Sequence, residues 1–373
     1  MPYSIKLDGV PAGYAANAAK EGEQANIIVR EFTSSEDGDL FIGKLDGFPL
    51  DLISKLPAEA SISPSNTDHL LAIIQRDQTA TIYVNELDMI LRIQAKHNLR
   101  AGDAVYDDDI ADILKLGFKD IIIPDDAGLA FIFSIGWRKG FFYDFGPLAS
   151  AEEMRSYNPE EIFGHYFAYL SRQHLFKITE TEWQQLFEQQ WFPFVTLKSS
   201  TVKKMLSYLR SNWQVDELIQ DISDEVAHYA SDMRDRWSKN IFIEPHFEII
   251  QRAIDRYIAK DYVSTVSILY PRIEGVMRSV LMTSPDEIKA SQRNLVASVI
   301  DSRQQELHQY SSLLPAIFQR FLREVYFANF DPNLPAKLSR NSIAHGVASP
   351  QDYSLKGATI GLLTLDQIFF YLP

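Results

Sequence analysis

Between Ala130 and Phe145 the chain reads AFIFSIGWRKGFFYDF, with large apolar side chains at every second position. Phe131, Phe133, Ile135 and Trp137 fall on one face, with the small Ser134 and Gly136 opposite. Period-two alternation marks a strand. Arg138-Lys139-Gly140 is expected to turn the chain into a second aromatic strand. A strand of this kind with a basic tip could serve as a stacking platform for nucleic acid or a nucleotide. Alternating aromatics are more often packing, so the expectation is a central hairpin whose rings fill a core.

Shorter signals surround it. Residues 27–32 and 40–43 read as strands joined by a hairpin turn at Asp37-Gly38-Asp39. Segments 48–56 and 67–75 read as short helical or irregular pieces, and 79–87 as a strand with Ile82 and Val84 on one face and Tyr83 opposite. Residues 107–116 are a helix candidate with acidic residues in its first turn. Residues 120–124 read as a buried strand halted by Pro124. Residues 1–150 are therefore expected to form a mixed α+β domain.

From there the period changes to that of a helix. Ile162, Phe163, Tyr166, Phe167 and Leu170 make one apolar face, and 151–240 reads as a helical connecting region. Residues 241–373 read as a bundle. Phe247, Ile250, Ile254, Tyr257 and Ile258 form one stripe, and Ile273, Val276, Met277, Val280 and Leu281 another. Residues 313–330 suggest a further helix, broken by Asp331-Pro332-Asn333-Leu334-Pro335. A nearly all-apolar helix ends the sequence, buried in the bundle or against a partner. The fold class read from the whole is α+β.

Composition closes several routes. With 373 residues and no cysteine, the chain can hold two or three domains but no disulfide, thiolate nucleophile or cysteine-bound metal. The eight histidines show no zinc-type spacing, so no metal is expected. Asp107-Asp108-Asp109 lacks the glycine and terminal glutamate of a calcium loop. No phosphate-cradling or dinucleotide-binding glycine pattern is present, and no cofactor is expected. The apolar run 360–372 is too short to span a bilayer and contains Asp366, and no basic-plus-apolar leader opens the sequence, so no membrane role and a cytoplasmic location are expected. The net charge of -14 lies wholly in residues 1–240, whereas 241–373 carries 13 basic and 13 acidic side chains. The C-terminal part is neutral, neither a basic patch nor strongly repelling to RNA.

One polar run stands out there: Arg340-Asn341-Ser342-Ile343-Ala344-His345-Gly346. A bland account makes it a helix end, with Arg340 near the last carbonyls and Gly346 as a left-handed cap. Upstream lies Tyr270-Pro271-Arg272-Ile273-Glu274-Gly275-Val276-Met277-Arg278-Ser279-Val280-Leu281, and downstream the apolar segment 354–372. A helix carrying PRIEGVMRSVL, then RNSIAHG, then a final apolar helix, resembles the HEPN superfamily. The likeness is closest to its abortive-infection, host-defence and toxin members. That family's signature is arginine, a polar residue, a short spacer and histidine, which Arg340, Asn341 and His345 match. Glu274 falls where many relatives carry an acidic residue, a looser match. The resemblance covers about the last third of the chain. It implies a metal-independent RNA endonuclease built from a dimer of helical bundles, with Arg340, Asn341, His345 and Glu274 as catalytic candidates. It also implies that some relatives are non-catalytic scaffolds or RNA-binding modules.

The chemistry suits those residues. RNA carries its own nucleophile, the 2′-hydroxyl, so cleavage needs a base, an acid and positive charge on the phosphorane. His345 can move protons, Arg340 can grip phosphate, and Asn341 would orient either the histidine or the phosphate. Positions five apart on a helix point about 140° away from one another, so two copies facing each other would complete the site. The wide apolar belt 360–372 is the expected surface for such a homodimer. Both motif side chains are expected at the surface, where their removal leaves the fold intact. The alternative is an HEPN-like interaction or RNA-binding protein, in which these groups are structural and residues 1–150 bind the meaningful ligand or a regulatory protein. An accessible Arg340 and His345 in a groove would favour catalysis. A His345 buried against Glu274 would favour structure.

Overall fold

The computed structural model describes residues 2–15, 17–60, 62–149, 153–283, 289–301, 303, 308–330 and 337–372. It is an α+β protein with two compact units, Met1–Arg92 with Leu114–Gln173, and Ile93–Ile113 with His174–Pro373. Residues 151–173 thus group with the sheet. No helix among the described residues is long and apolar enough to cross a membrane.

The first unit holds β1 (Tyr3–Lys6), the short pair β2 (Tyr14–Ala15) and β3 (Ile27–Ile28), β4 (Arg30–Ser34), α1 (Asp39–Leu45) and α2 (Phe48–Ser54). Next come β5 (Leu70–Ile74) and β6 (Thr79–Val84), then β7 (Met89–Ala95) and β8 (Ile110–Phe118), which pair with each other and run through the unit division. The aromatic segment forms β9 (Gly128–Ile135) and β10 (Arg138–Asp144), and α3 (Gly146–Ala149) and α4 (Pro159–Ser171) follow. Six strands make one antiparallel sheet in the order β1-β6-β5-β9-β10-β4. The aromatic hairpin sits inside it, with Phe131 opposite Phe142.

Both faces of that hairpin are covered. Ala130, Ile132, Phe141 and Tyr143 pack with Phe41 and Leu45 of α1 and Leu52 and Ile53 of α2. Phe131, Phe133 and Phe142 pack with Phe163 and Leu170 of α4 and with Leu116 and Phe118 of β8. Each such ring contributes about 1.5–3 kcal/mol by leaving water. The turn differs from the sequence reading. It lies at Gly136-Trp137, with Gly136 at φ 59°, while Arg138 to Gly140 already belong to β10. Trp137, assigned to the buried face, is 74% exposed. Gly164 lets α4 approach β8, since a Cβ there would lie 2.6 Å from the Lys115 backbone.

Four further expectations are corrected. At 37–39 there is no hairpin: Asp37 Oδ2 accepts from Ser34 N at 2.5 Å, and Gly38 at φ 57° sends the chain into α1, which buries Phe41 and Leu45 four residues apart. Segment 67–75 contains β5, a strand between β6 and β9 buried at every position, so it shows no alternation. Residues 107–116 are not a helix. Asp107–Asp109 form one 3-10 turn, closed by Asp109 Oδ2 accepting from Tyr106 N at 2.7 Å, and β8 begins at Ile110. Residues 120–124 form a turn and loop instead of a strand, and Ile122 is 88% exposed.

In the second unit, α5 (Gln173–Phe176) marks the boundary, and α6 (Glu180–Glu188), α7 (Ser199–Arg210), α8 (Ile219–Trp237) and α9 (Phe247–Ile258) lead to α10 (Tyr262–Leu281). Then come α11 (Gln292–Asp301), α12 (Pro315–Phe321) continued by a π turn at Leu322–Tyr326, α13 (Arg340–Ala344) and α14 (Leu355–Phe369). The helix read over 313–330 is therefore shorter, running from Pro315 to Tyr326 and ending in the π turn, and the expected break at 331–335 lies outside the described residues. Helix α10 is central, touching α9, α11, α13 and α14. Its expected stripe, Ile273, Val276, Met277, Val280 and Leu281, is buried throughout. On α9, Ile250, Ile254 and Tyr257 are buried but Ile258 is 57% exposed, so that stripe stops one residue short.

The hairpin arm 93–113 is fastened to its own unit by Asp112, which is fully buried. Its carboxylate accepts from Ser311 Oγ at 2.5 Å and Ser312 N at 2.9 Å. His308 Nε2 lies 3.0 Å from the Ile113 carbonyl and Nδ1 accepts from Tyr310 N at 3.1 Å, which assigns the proton to Nε2. Burial pushes the His308 imidazole below its usual value and the Asp112 carboxyl above its own. A lowered histidine gives stability that is present above its unfolded value of about 6.5 and is lost as pH falls through the folded one. Asp112 acts in the opposite sense, its contribution present at low pH and lost as pH rises. The melting temperature of His308→Gln should therefore fall less than that of the parent between about pH 7 and about pH 5. Parallel curves would exclude this origin.

Candidate functional site

Helix α13 is a single short turn assembled by its own sequence. Ser339, extended at φ -154°, caps it by accepting from Ser342 N at 3.0 Å, and Ser339 N donates back to Ser342 Oγ at 2.9 Å. His345 takes the C-cap position and Gly346 follows at φ 69°, the left-handed cap that a glycine adopts without strain. Arg340 opens this helix and does not stand beside its last carbonyls. A cation in a first turn faces the less favourable end of the backbone dipoles. A carboxylate offsets it.

That carboxylate is Glu274, on α10 and only 5% exposed. Its Oε1 accepts from Arg278 Nε at 2.9 Å and Nη2 at 2.6 Å, and its Oε2 meets Arg340 Nε. One buried carboxylate thus serves two guanidinium groups. The Arg340 side chain is 23% exposed, which corrects the expectation of a free surface arginine whose loss the fold would not feel. Nearby, Tyr326 Oη donates to the Tyr270 carbonyl at 2.6 Å, and burial, aided by the charge of Glu274, pushes its phenol well above the usual value.

Asn341 is likewise buried. Its Nδ2 donates to the Phe327 carbonyl at 2.9 Å, and its Oδ1 accepts from Gln292 Nε2 at 2.9 Å. The amide therefore braces the end of the π turn and the start of α11, and of its two expected partners, the histidine and the phosphate, it does not bond the His345 ring among the described residues. The histidine itself is exposed, its ring centroid 5.5 Å from that of Phe330. His345 is not buried against Glu274; Arg340 is the motif residue that sits there.

Beside the motif opens a cleft of ≈ 350 Å³ lined by Gln292, Arg293, Arg323 and Phe327. Gln292 and Phe327 are both bonded by Asn341. Arg293 and Arg323 are exposed, and neither forms an ion pair among the described residues. The sequence reading missed all four lining residues. Their only signal was a pair of arginines on otherwise ordinary helices, and nothing in the chain order places residues 292, 323 and 341 together. Among the described residues no group of three His, Asp or Glu side chains gathers to hold a metal.

The arrangement can do two things. It presents an accessible imidazole at the end of a short helix. It also concentrates positive charge in a neutral bundle, since Arg278 and Arg340 share one carboxylate while Arg293 and Arg323 pair with none among the described residues. Comparison of the chain with protein-family models, with curated proteins and with solved structures gives no match.

Proposed function

We propose that the bundle is a metal-independent RNA endonuclease of HEPN type, acting in a toxin or host-defence setting in the cytoplasm, with the sheet-bearing unit as sensor or regulator. The observation that carries this reading is an exposed His345 at the end of a short helix whose first residue, Arg340, belongs to an arginine-rich cluster. In the proposed reaction His345 takes the proton of the 2′-hydroxyl, and the oxygen attacks the adjacent phosphorus. The 5′-oxygen leaves with a proton from a second histidine. Arg340 supplies charge to the phosphorane while Glu274 fixes its position. One chain offers one such histidine, so the working unit is a homodimer related by a two-fold axis. The apolar belt no longer supports the dimer, because residues 360–372 are consumed inside the unit.

A second reading is favoured by a specific observation. Arg340, Glu274 and Asn341 all make structural contacts, as they would in a non-catalytic bundle that binds RNA or a partner. The two separate on product chemistry. The proposed enzyme cuts single-stranded RNA in EDTA, leaves 2′,3′-cyclic phosphate and 5′-hydroxyl ends, and spares the 2′-deoxy oligonucleotide. Intact RNA after incubation with the purified dimer, or cleavage that EDTA abolishes, would count for the second reading.

A further inference from the structure

We infer that the Gln292–Arg293–Arg323–Phe327 cleft is a second phosphate subsite, which holds a phosphodiester of the same RNA strand next to the one that is cut. The inference rests on the reading just proposed and adds residues to it. Three observations lead there. Two guanidinium groups line one cleft and are not neutralised by any carboxylate among the described residues. An uncompensated pair of this kind repels itself unless an anion intervenes, and guanidinium matches phosphate in a bidentate way. Second, the cleft is joined to the motif by Asn341, which bonds both Gln292 and the Phe327 carbonyl, so the subsite is tied to the residue that follows Arg340 on one helix.

The third observation concerns chain geometry. Arg323 stands on the π turn Leu322–Tyr326, where the extra residue per turn displaces the helix path just before the residue that Asn341 grips. Insertions of this type recur at functional sites. The cleft is small, with room for a phosphate and its sugar but not for a duplex. Phe327 is 2% exposed, so the floor offers no ring for a base to stack on. Recognition there is by charge and not by sequence, as phosphate contacts are. The fitting ligand is the backbone of a single strand.

The test uses His345→Ala protein, so that the strand survives, with and without Arg293→Gln and Arg323→Gln together. Binding of a short fluorescein-labelled single-stranded oligoribonucleotide is followed by anisotropy over a range of salt. The double substitution should weaken binding about tenfold, equally for different sequences, and lower the slope of log affinity against log salt by about 1.4. Equal melting temperatures would show that the exposed substitutions leave the fold alone. Inorganic phosphate at constant ionic strength forms a second arm. Unchanged affinity and slope overturn the subsite, as does a cleft that binds inorganic phosphate but not the strand. The parent reading fails separately. If the arginines hold RNA that wild type leaves intact, the nuclease falls and the subsite stands. If the double variant cuts with unchanged KM, the subsite falls and the nuclease stands.

Discussion

Asp366→Ala should lower the stability of the bundle by about 3–5 kcal/mol, a drop in melting temperature of roughly 10 °C. Asp366 is fully buried on α14, and every partner it has is a donor. Arg236 bonds it through Nε at 3.1 Å and Nη2 at 2.6 Å, Trp237 Nε1 donates at 2.9 Å, and Thr196 Oγ1 at 2.6 Å. The Arg236 side chain is 14% exposed, so deleting the carboxylate strands a cation away from water. Removing one member of such a pair is far more harmful than removing both. Arg236→Leu with Asp366→Leu should accordingly recover much of the loss. A single Asp366→Ala variant whose stability lies within about 1 kcal/mol of the parent would show that water reaches Arg236 freely.

The same helix shows how far the sequence could be read. Its apolar character was plain, but the choice between the bundle and a partner was left open, and the expected dimer surface is instead buried inside the unit. What could not be seen was the number of neighbours. Asp366 and Gln367 look like interruptions that mark an outer edge, yet both point inward and are satisfied. Gln367 accepts from Val195 N at 2.7 Å and donates to the Leu313 carbonyl at 3.2 Å. Partners that lie 172 and 54 residues away leave no trace in a local pattern.

Elements with a clear period were the legible ones. The α10 stripe and the α4 face follow from spacing, because one-sided burial writes its period into the chain, and the β9–β10 hairpin, covered on both faces, was legible from large rings alternating with smaller side chains. Where burial is two-sided or capping is local, the signal fails. β5 is buried at every position and carries no alternation. The three aspartates at 107–109 look like a helix start, yet they cap a single turn before a strand, since Ile110 to Phe118 find a partner in β7. The motif was legible as residue types alone. Its cap at Gly346 was readable, but the inward turn of Arg340 to Glu274 depended on a contact between residues 66 apart in sequence, and the arginines of the cleft on chain segments that only the fold collects.

That inward turn makes His345 the decisive test. His345→Ala should leave the stability within about 0.5 kcal/mol of the parent, because the ring is exposed at the surface. It should reduce RNA cleavage by about 10²–10⁴-fold, the usual worth of a positioned proton-transfer group. Arg340→Ala cannot serve as well, since it strips a buried carboxylate of one partner and confounds chemistry with stability. The composite site adds a sharper consequence. If two copies each contribute one histidine, excess His345→Ala protein should titrate wild type into mixed dimers that hold a single imidazole, and specific activity should fall as mixing proceeds. The same protein should sediment as a dimer, and wild-type activity should decline on dilution below its dissociation constant. Activity that is indifferent to both mixing and dilution would mean that one protomer carries the whole reaction, and the second proton-transfer group would then have to come from elsewhere in the same chain.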